Sequence, residues 1–306
     1  MAKKISIIGA GAVGATLAQR IIEAGIADVV LVDILKNVAA GKAIDLLDAS
    51  PVVGHECGII GTDDYAQVEG SDIVVITAGL PRKPGMTREE LISKNAGIVK
   101  GVSEKIRKHS PSAIVIVVTN PLDVMTYLAL ATMGSGRNKV FGMAGVLDGA
   151  RMAYLIADEL KVKRSAVETV VLGSHGETMV PVLSKTRVFG KPVMGLIPKD
   201  GLDKIVKRTC DRGAEIVSLL GTGSAFYSPS AAALLMIKAV MYDTKATLTV
   251  SALLEGEYGL KDICIGVPCV IGKSGMEKVV EIDLSKEEQD AFLRSAKAIQ
   301  GSINLL

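Results

Sequence analysis

Lys4-Ile5-Ser6-Ile7-Ile8-Gly9-Ala10-Gly11-Ala12-Val13-Gly14 is the stretch on which the fold of this 306-residue chain turns. A short apolar run passes straight into three spaced glycines, after which Val13, Leu17 and Ile21 fall on one face and Gly25 supplies a stop. The spacing predicts strand, tight turn and helix in immediate succession. In that setting Gly9 permits the turn, Gly11 lets the backbone approach a pyrophosphate, and Gly14 allows close helix–strand packing. The helix N-terminus favours the phosphate charge. Gly9, Ala10, Gly11, Ala12, Val13 and Gly14 are therefore candidate cofactor residues. Asp33 ends the next apolar run, nineteen positions after Gly14. A carboxylate there accepts hydrogen bonds from ribose hydroxyls and repels a 2′-phosphate, which favours NAD over NADP. A glycine turn with an incidental aspartate is the competing reading.

Nearly all-apolar runs recur at Ile5–Ile8, Val29–Val32, about Cys57–Ile60, Ile73–Ile76, Ile114–Val118 and Val140–Gly142. Runs of that kind predict parallel strands covered on both faces, an α/β doubly wound parallel (Rossmann) sheet. Thr87-x-x-Glu90 reads as a capping box ahead of Leu91, Asn95, Ile98, Val102 and Ile106. Past residue 143 the pattern changes. A helix over Asp148–Leu160, a strand through Val167–Leu172 and a hairpin through Phe189-Gly190-Lys191-Pro192 come first. Helices near 199–220 and 228–242 follow, then strands turning at Lys273-Ser274-Gly275. Ser285-x-x-Glu288 announces a last helix that carries Phe292, Ala296, Ile299 and Ile303 on one side. The expected organisation is a dinucleotide-binding domain over 1–143 and an α+β substrate and catalytic domain over 144–306.

With 35 Lys+Arg against 33 Asp+Glu and a net charge of +2, nothing in the charge balance predicts a nucleic-acid or membrane partner. Aromatic residues make up 3% and tryptophan is absent, which disfavours base-stacking platforms. The four cysteines, Cys57, Cys210, Cys264 and Cys269, form no Cys-x-x-Cys pair, and only Cys57 has a histidine nearby in sequence, His55. That disfavours a metal site and fits reduced thiols in a cytoplasmic protein. Lys3-Lys4 and the uncharged stretch up to Arg20 superficially resemble a secretory leader, but the glycine turn suits a strand-turn-helix better. No tyrosine is followed four residues later by lysine, which disfavours short-chain dehydrogenase chemistry. No Gly-Lys-Ser/Thr follows the glycine turn, which disfavours a phosphate-loop hydrolase.

The chemistry centres on one of only three histidines. His175, in Gly173-Ser174-His175-Gly176, follows the apolar run 167–172, where an imidazole can take up and return a proton near neutral pH. On its own such a residue is more often an ordinary surface or core histidine. The segment Ala78-Gly79-Leu80-Pro81-Arg82-Lys83-Pro84-Gly85-Met86-Thr87-Arg88 leaves the carboxyl end of the fourth strand, the usual ligand side of such a sheet. It carries two arginines, Arg82 and Arg88.

These segments occur in order with Thr119-Asn120-Pro121 and Leu147-Asp148-Gly149-Ala150-Arg151. Over essentially its whole length the chain resembles the lactate/malate dehydrogenase family, in its lactate-dehydrogenase-like malate dehydrogenase branch. The resemblance implies that Arg88 polarises the substrate carbonyl and that Asn120 contacts substrate and cofactor. It implies that Arg151 grips the C1 carboxylate and Asp148 orients His175, with Asn95 and Val118 on the nicotinamide side and Thr119 also binding the cofactor. An arginine at the position of Arg82 goes with malate and a glutamine with lactate, because the second carboxylate of malate needs a countercharge when enclosed. Asp148 and Arg151 stand three apart on one helix face, and a guanidinium pairs a carboxylate through two parallel hydrogen bonds. The implied reaction is reversible oxidation of (S)-malate to oxaloacetate with NAD, His175 being proton acceptor or donor, in a homodimer or homotetramer. Alternatives are a lactate or other 2-hydroxyacid dehydrogenase on the same fold, or a non-catalytic NAD-binding module.

Overall fold

In the computed structural model residues 3–81 and 87–306 are described, apart from the Arg88 side chain. The opening stretch forms β1 (Lys4–Ile8) and α1 (Ala12–Glu23), followed by β2 (Asp28–Val32), α2 (Lys36–Val53), β3 (Ile59–Thr62) and β4 (Ile73–Ile76). The first half continues with α3 (Arg88–His109), β5 (Ile114–Val117), α4 (Leu122–Met133) and β6 (Val140–Met143). These six strands pair in the order β3-β2-β1-β4-β5-β6, all parallel. Order reverses between β1 and β4, so the carboxyl ends of these two strands flank a crevice. Ile5, Ile7, Ile73, Val75, Ile114 and Ile116 are buried, as strands covered on both faces must be. Each such isoleucine contributes roughly 1.5–3 kcal/mol by leaving water.

The second half begins with α5 (Gly145–Leu160), β7 (Val167–Glu168), β8 (Val171–Gly173), β9 (Met179–Pro181), β10 (Arg187–Val188) and β11 (Lys191–Pro192). It ends with α6 (Lys199–Leu220), α7 (Tyr227–Met241), β12 (Ala246–Glu255), β13 (Lys261–Gly272), β14 (Gly275–Val279) and α8 (Lys286–Ile303). β12 pairs antiparallel with β6, Ser251 opposite Gly142, so one sheet runs through both halves and continues over β13, β8 and β9. β7, β10 and β11 form a separate small sheet. The two capping boxes, Thr87 with Glu90 and Ser285 with Glu288, start α3 and α8 as their spacing predicts. No helix among the described residues is long and apolar enough to cross a membrane.

Three local expectations differ from the structure. The third strand lies two residues later than the apolar run suggests, because the register Val29↔Ile59 to Val32↔Thr62 is set by β2. The helix expected from Asp148 begins at Gly145, so Asp148 lies in its first turn. The single strand expected over 167–172 is two strands in two sheets. The Thr169 hydroxyl bonds the Gly149 carbonyl at 2.9 Å between them, and the chain crosses from β10 to β13 as partner.

Candidate active site

The glycine turn sits at the carboxyl end of β1. Gly9 has φ 109°, and a Cβ there would lie 2.8 Å from the Ala78 nitrogen. A Cβ on Gly14 would collide with the Gly9 carbonyl oxygen, so these two positions are glycine because the fold leaves no space. Gly11 is different: a Cβ there would meet nothing within 4 Å, so no packing within the chain requires glycine. The open face lies where the N-terminus of α1 points. The first α1 bond runs from the Ala15 nitrogen to the Gly11 carbonyl, and no side chain caps the helix. Amide donors at Ala12, Val13 and Gly14 are thus available to an anion, as a pyrophosphate requires.

Asp33 does more than its position in sequence suggests. One carboxylate oxygen accepts the Ala10 N–H at 2.7 Å and the other the Leu35 N–H at 2.9 Å. Lys42, reaching back from α2, donates to the Ala10 carbonyl. The Ala10 peptide is therefore held at both ends, and Lys42 went unnoticed in sequence because an isolated lysine on an exposed helix reads as solvated.

Across the crevice, Asn95 on α3 is buried with its amide engaged by main chain. Its oxygen accepts the Leu80 N–H at 2.8 Å, and its nitrogen donates to the Leu80 and Asn120 carbonyls at 3.1 and 2.7 Å. The Thr119 hydroxyl bonds the Ala78 carbonyl at 2.7 Å. Asn95 and Thr119 thus shape the two strand-end loops beside buried Val118, while the Asn120 residue is exposed at the end of β5.

The proton-transfer group stands on α5 and the loop after β8. Gly173, at φ 83°, turns the chain so that a Cβ would sit 2.7 Å from the Ser295 hydroxyl, and that hydroxyl accepts the Ser174 N–H at 2.8 Å. His175 follows with its ring held: Nδ1 lies 2.7 Å from Asp148 Oδ2. The other Asp148 oxygen accepts Arg151 Nη1 at 3.4 Å, so one carboxylate bridges imidazole and guanidinium. Arg151 Nε is buried with no acceptor among the described residues, which leaves donor capacity for an anionic ligand. Burial disfavours a charged imidazole at His175, but the charge and hydrogen bond of Asp148 outweigh it and raise its pKa. Burial lowers the pKa of Arg151, opposed by Asp148. His175 retains 11% side-chain exposure, so Nε2, which has no protein partner among the described residues, can meet a substrate.

Two further residues support this group and were not anticipated. Asp123, in the first turn of α4, accepts the His175 N–H at 2.9 Å through Oδ2 and the Ser251 hydroxyl at 2.7 Å through Oδ1. The signal available was Asp123 as the one charged side chain in Leu122–Met133, an otherwise apolar and mostly buried helix. Of the sequence-derived substrate arginines, Arg82 and the Arg88 side chain lie outside the described residues; the Arg88 backbone opens α3.

A reversed strand order, an anion-ready helix N-terminus and a carboxylate-oriented histidine beside an arginine define a dinucleotide-dependent dehydrogenase. The chain belongs to the lactate/malate dehydrogenase family. A family profile described as its NAD binding domain matches residues 3–142, and one described as its alpha/beta C-terminal domain matches 145–306. The chain is 51% identical to a malate dehydrogenase of Desulforudis audaxviator, over 98% of this chain and 97% of that one. The crystal structure of Cryptosporidium parvum malate dehydrogenase superposes with a TM-score of 0.96 at 43% identity, covering 99% of this chain and 98% of that one. A lactate dehydrogenase of the same organism, complexed with lactic acid and nicotinamide adenine dinucleotide, superposes with a TM-score of 0.97 at 40% identity. It covers 100% of this chain and 98% of that one.

Proposed function

We propose that this chain is an NAD-dependent malate dehydrogenase that interconverts (S)-malate and oxaloacetate. The observation that carries the chemistry is the Asp148 bridge between His175 and Arg151, with the buried Arg151 Nε left without an acceptor among the described residues. Relatives about half identical over the whole chain and named malate dehydrogenase support the substrate. Bound NAD supplies the hydride acceptor. Gly9 to Gly14 hold its pyrophosphate on the α1 N-terminus, Asp33 takes ribose hydroxyls, and Asn95, Val118, Thr119 and Asn120 set the nicotinamide side.

Arg151 pairs the C1 carboxylate of the substrate through two parallel hydrogen bonds and fixes which face of C2 is presented. Asp148 holds His175 by Nδ1, which directs Nε2 at the C2 hydroxyl. In oxidation His175 Nε2 accepts that hydroxyl proton, and in reduction the imidazolium returns it to the carbonyl oxygen. Arg88 stabilises negative charge developing on that oxygen. Arg82 meets the second carboxylate, which has no counterpart in lactate. Since the neutral ring is the base, malate oxidation gains rate as pH rises through the His175 midpoint, held above the ordinary imidazole value, and oxaloacetate reduction loses it.

We further propose a homodimer or homotetramer in the cytoplasm. Support for the assembly comes from large apolar side chains left in solvent on and beside α2 and at the end of α6, with Ile34 91%, Val52 89% and Leu219 80% exposed.

The test is steady-state NADH oxidation with oxaloacetate and with pyruvate. A kcat/KM ratio of about 100-fold or more for oxaloacetate is expected, since a buried unpaired charge costs several kcal/mol. Arg82→Gln should shrink that ratio from the oxaloacetate side. An unchanged ratio would remove Arg82 as the specificity residue, and a wild-type preference for pyruvate would establish a lactate dehydrogenase instead.

A further inference from the structure

We infer that Asp123 is a positioning residue for proton transfer: its buried carboxylate ties the His175 main chain to Ser251 on β12 and places a second negative charge behind the imidazole. The inference rests on His175 being the proton carrier.

The geometry is specific. Asp123 is 4% exposed, and both oxygens are engaged, one by the His175 N–H and one by the Ser251 hydroxyl. Ser251 lies opposite Gly142 of β6 and Gly266 of β13, so it is fixed from both sides in the sheet. The His175 backbone is thereby pinned to a strand paired on both sides, while Asp148 pins its ring. An asparagine would satisfy both contacts, its oxygen accepting the His175 N–H and its nitrogen donating to the Ser251 hydroxyl. Hydrogen bonding alone therefore does not call for a charge, and ionising a carboxyl in an apolar helix opposes burial.

The charge acts on the imidazole. Titratable and charged groups facing His175 among the described residues are Asp148 and Arg151 from α5 and Asp123 from α4; Cys264 on β13 faces Asp123. Burial and the Arg151 cation both disfavour imidazolium, and Asp148 alone opposes them on the α5 side. Asp123 adds a second anion from α4. Burial in turn pushes the Asp123 carboxyl up to about 6, against the lowering effect of its Ser251 and His175 hydrogen bonds.

The chain has only three histidines, so the His175 ring can be titrated by NMR in labelled protein and assigned by its loss in His175→Asn. Asp123→Asn should move the His175 midpoint to lower pH, and the rise of malate oxidation with pH should move with it. Asp123→Ala, which leaves the His175 N–H and the Ser251 hydroxyl without an acceptor, should lower kcat about 10- to 100-fold with a smaller effect on the malate KM. A His175 midpoint unmoved in Asp123→Asn would overturn the inference. A midpoint that moves while the rate profile stays would show that the Asp123 charge reaches the imidazole, but would reject His175 as the proton carrier and with it the role of Asp123 in proton transfer. Should Asp123→Asn fail to fold, the wild-type His175 titration carries the test. A second inflection matching the Asp123 carboxyl supports the inference, and a single uncoupled inflection overturns it.

Discussion

The nucleotide edge and the catalytic edge of this sheet both hold carboxylates against main-chain N–H groups, yet they are built in opposite ways. At the nucleotide edge Asp33 braces a turn whose working donors are backbone amides, and the side-chain hydrogen bonds of Asp33 and Lys42 that hold it lie within the first 42 residues. At the catalytic edge Asp148 braces the His175 side chain and Asp123 its main chain, and the group gathers residues 123, 148, 151, 175, 251 and 295 from five separate places in the chain. Binding a pyrophosphate needs donors that any residue owns, provided no side chain intrudes. Moving a proton needs one particular side chain at one particular angle, which only tertiary packing supplies.

The sharpest way to separate the two edges is His175→Asn. It should lower kcat by about three orders of magnitude, the contribution of a positioned acid–base group, while NADH binding followed by fluorescence persists. Loss of NADH binding alongside activity would show that the edges are not separable. Next comes a contrast inside the nucleotide edge. Gly14→Ala should cost about 1–3 kcal/mol in denaturant unfolding, because its methyl meets the Gly9 carbonyl. Gly11→Ala should leave stability within about 0.5 kcal/mol yet weaken NADH about tenfold. Equal loss of stability in both would mean that Gly11 serves packing after all. The smallest effect is expected from Asp33→Asn, which still accepts one amide. NADH affinity should fall by about tenfold or less and discrimination against NADPH should narrow, with kcat little changed. Undiminished rejection of NADPH would take the ribose role from Asp33.

What could be read in advance follows the same division. The parallel strands, both capping boxes and the glycine turn are local patterns, and the structure places them within a residue or two. The relation of Asp148 to Arg151 is also local, three apart on α5. Resemblance supplied the pairing of Asp148 with His175, which are 27 positions apart. Neither route reached Asp123, Ser251 or Lys42. A lone aspartate beginning a helix reads as a partner for the helix dipole, and a serine in a strand reads as nothing in particular. Their meaning comes from contacts spanning 52 and 128 positions. The strand expected over 167–172 divided for a related reason, since apolar periodicity does not reveal which sheet a residue joins.

The antiparallel pairing of β12 with β6 also bears on how the chain has to be used. All four residues of β6 are buried, and β12 occupies the row of backbone donors and acceptors along its outer side. Cut away after residue 143, the nucleotide-binding half would carry β6 as a bare apolar edge, a template for strand addition by another chain. The family profiles divide near this point, but the hydrogen bonds do not. Moving the nucleotide-binding half into another protein would therefore require a replacement for β12, so the more natural unit of transplantation is the whole sheet.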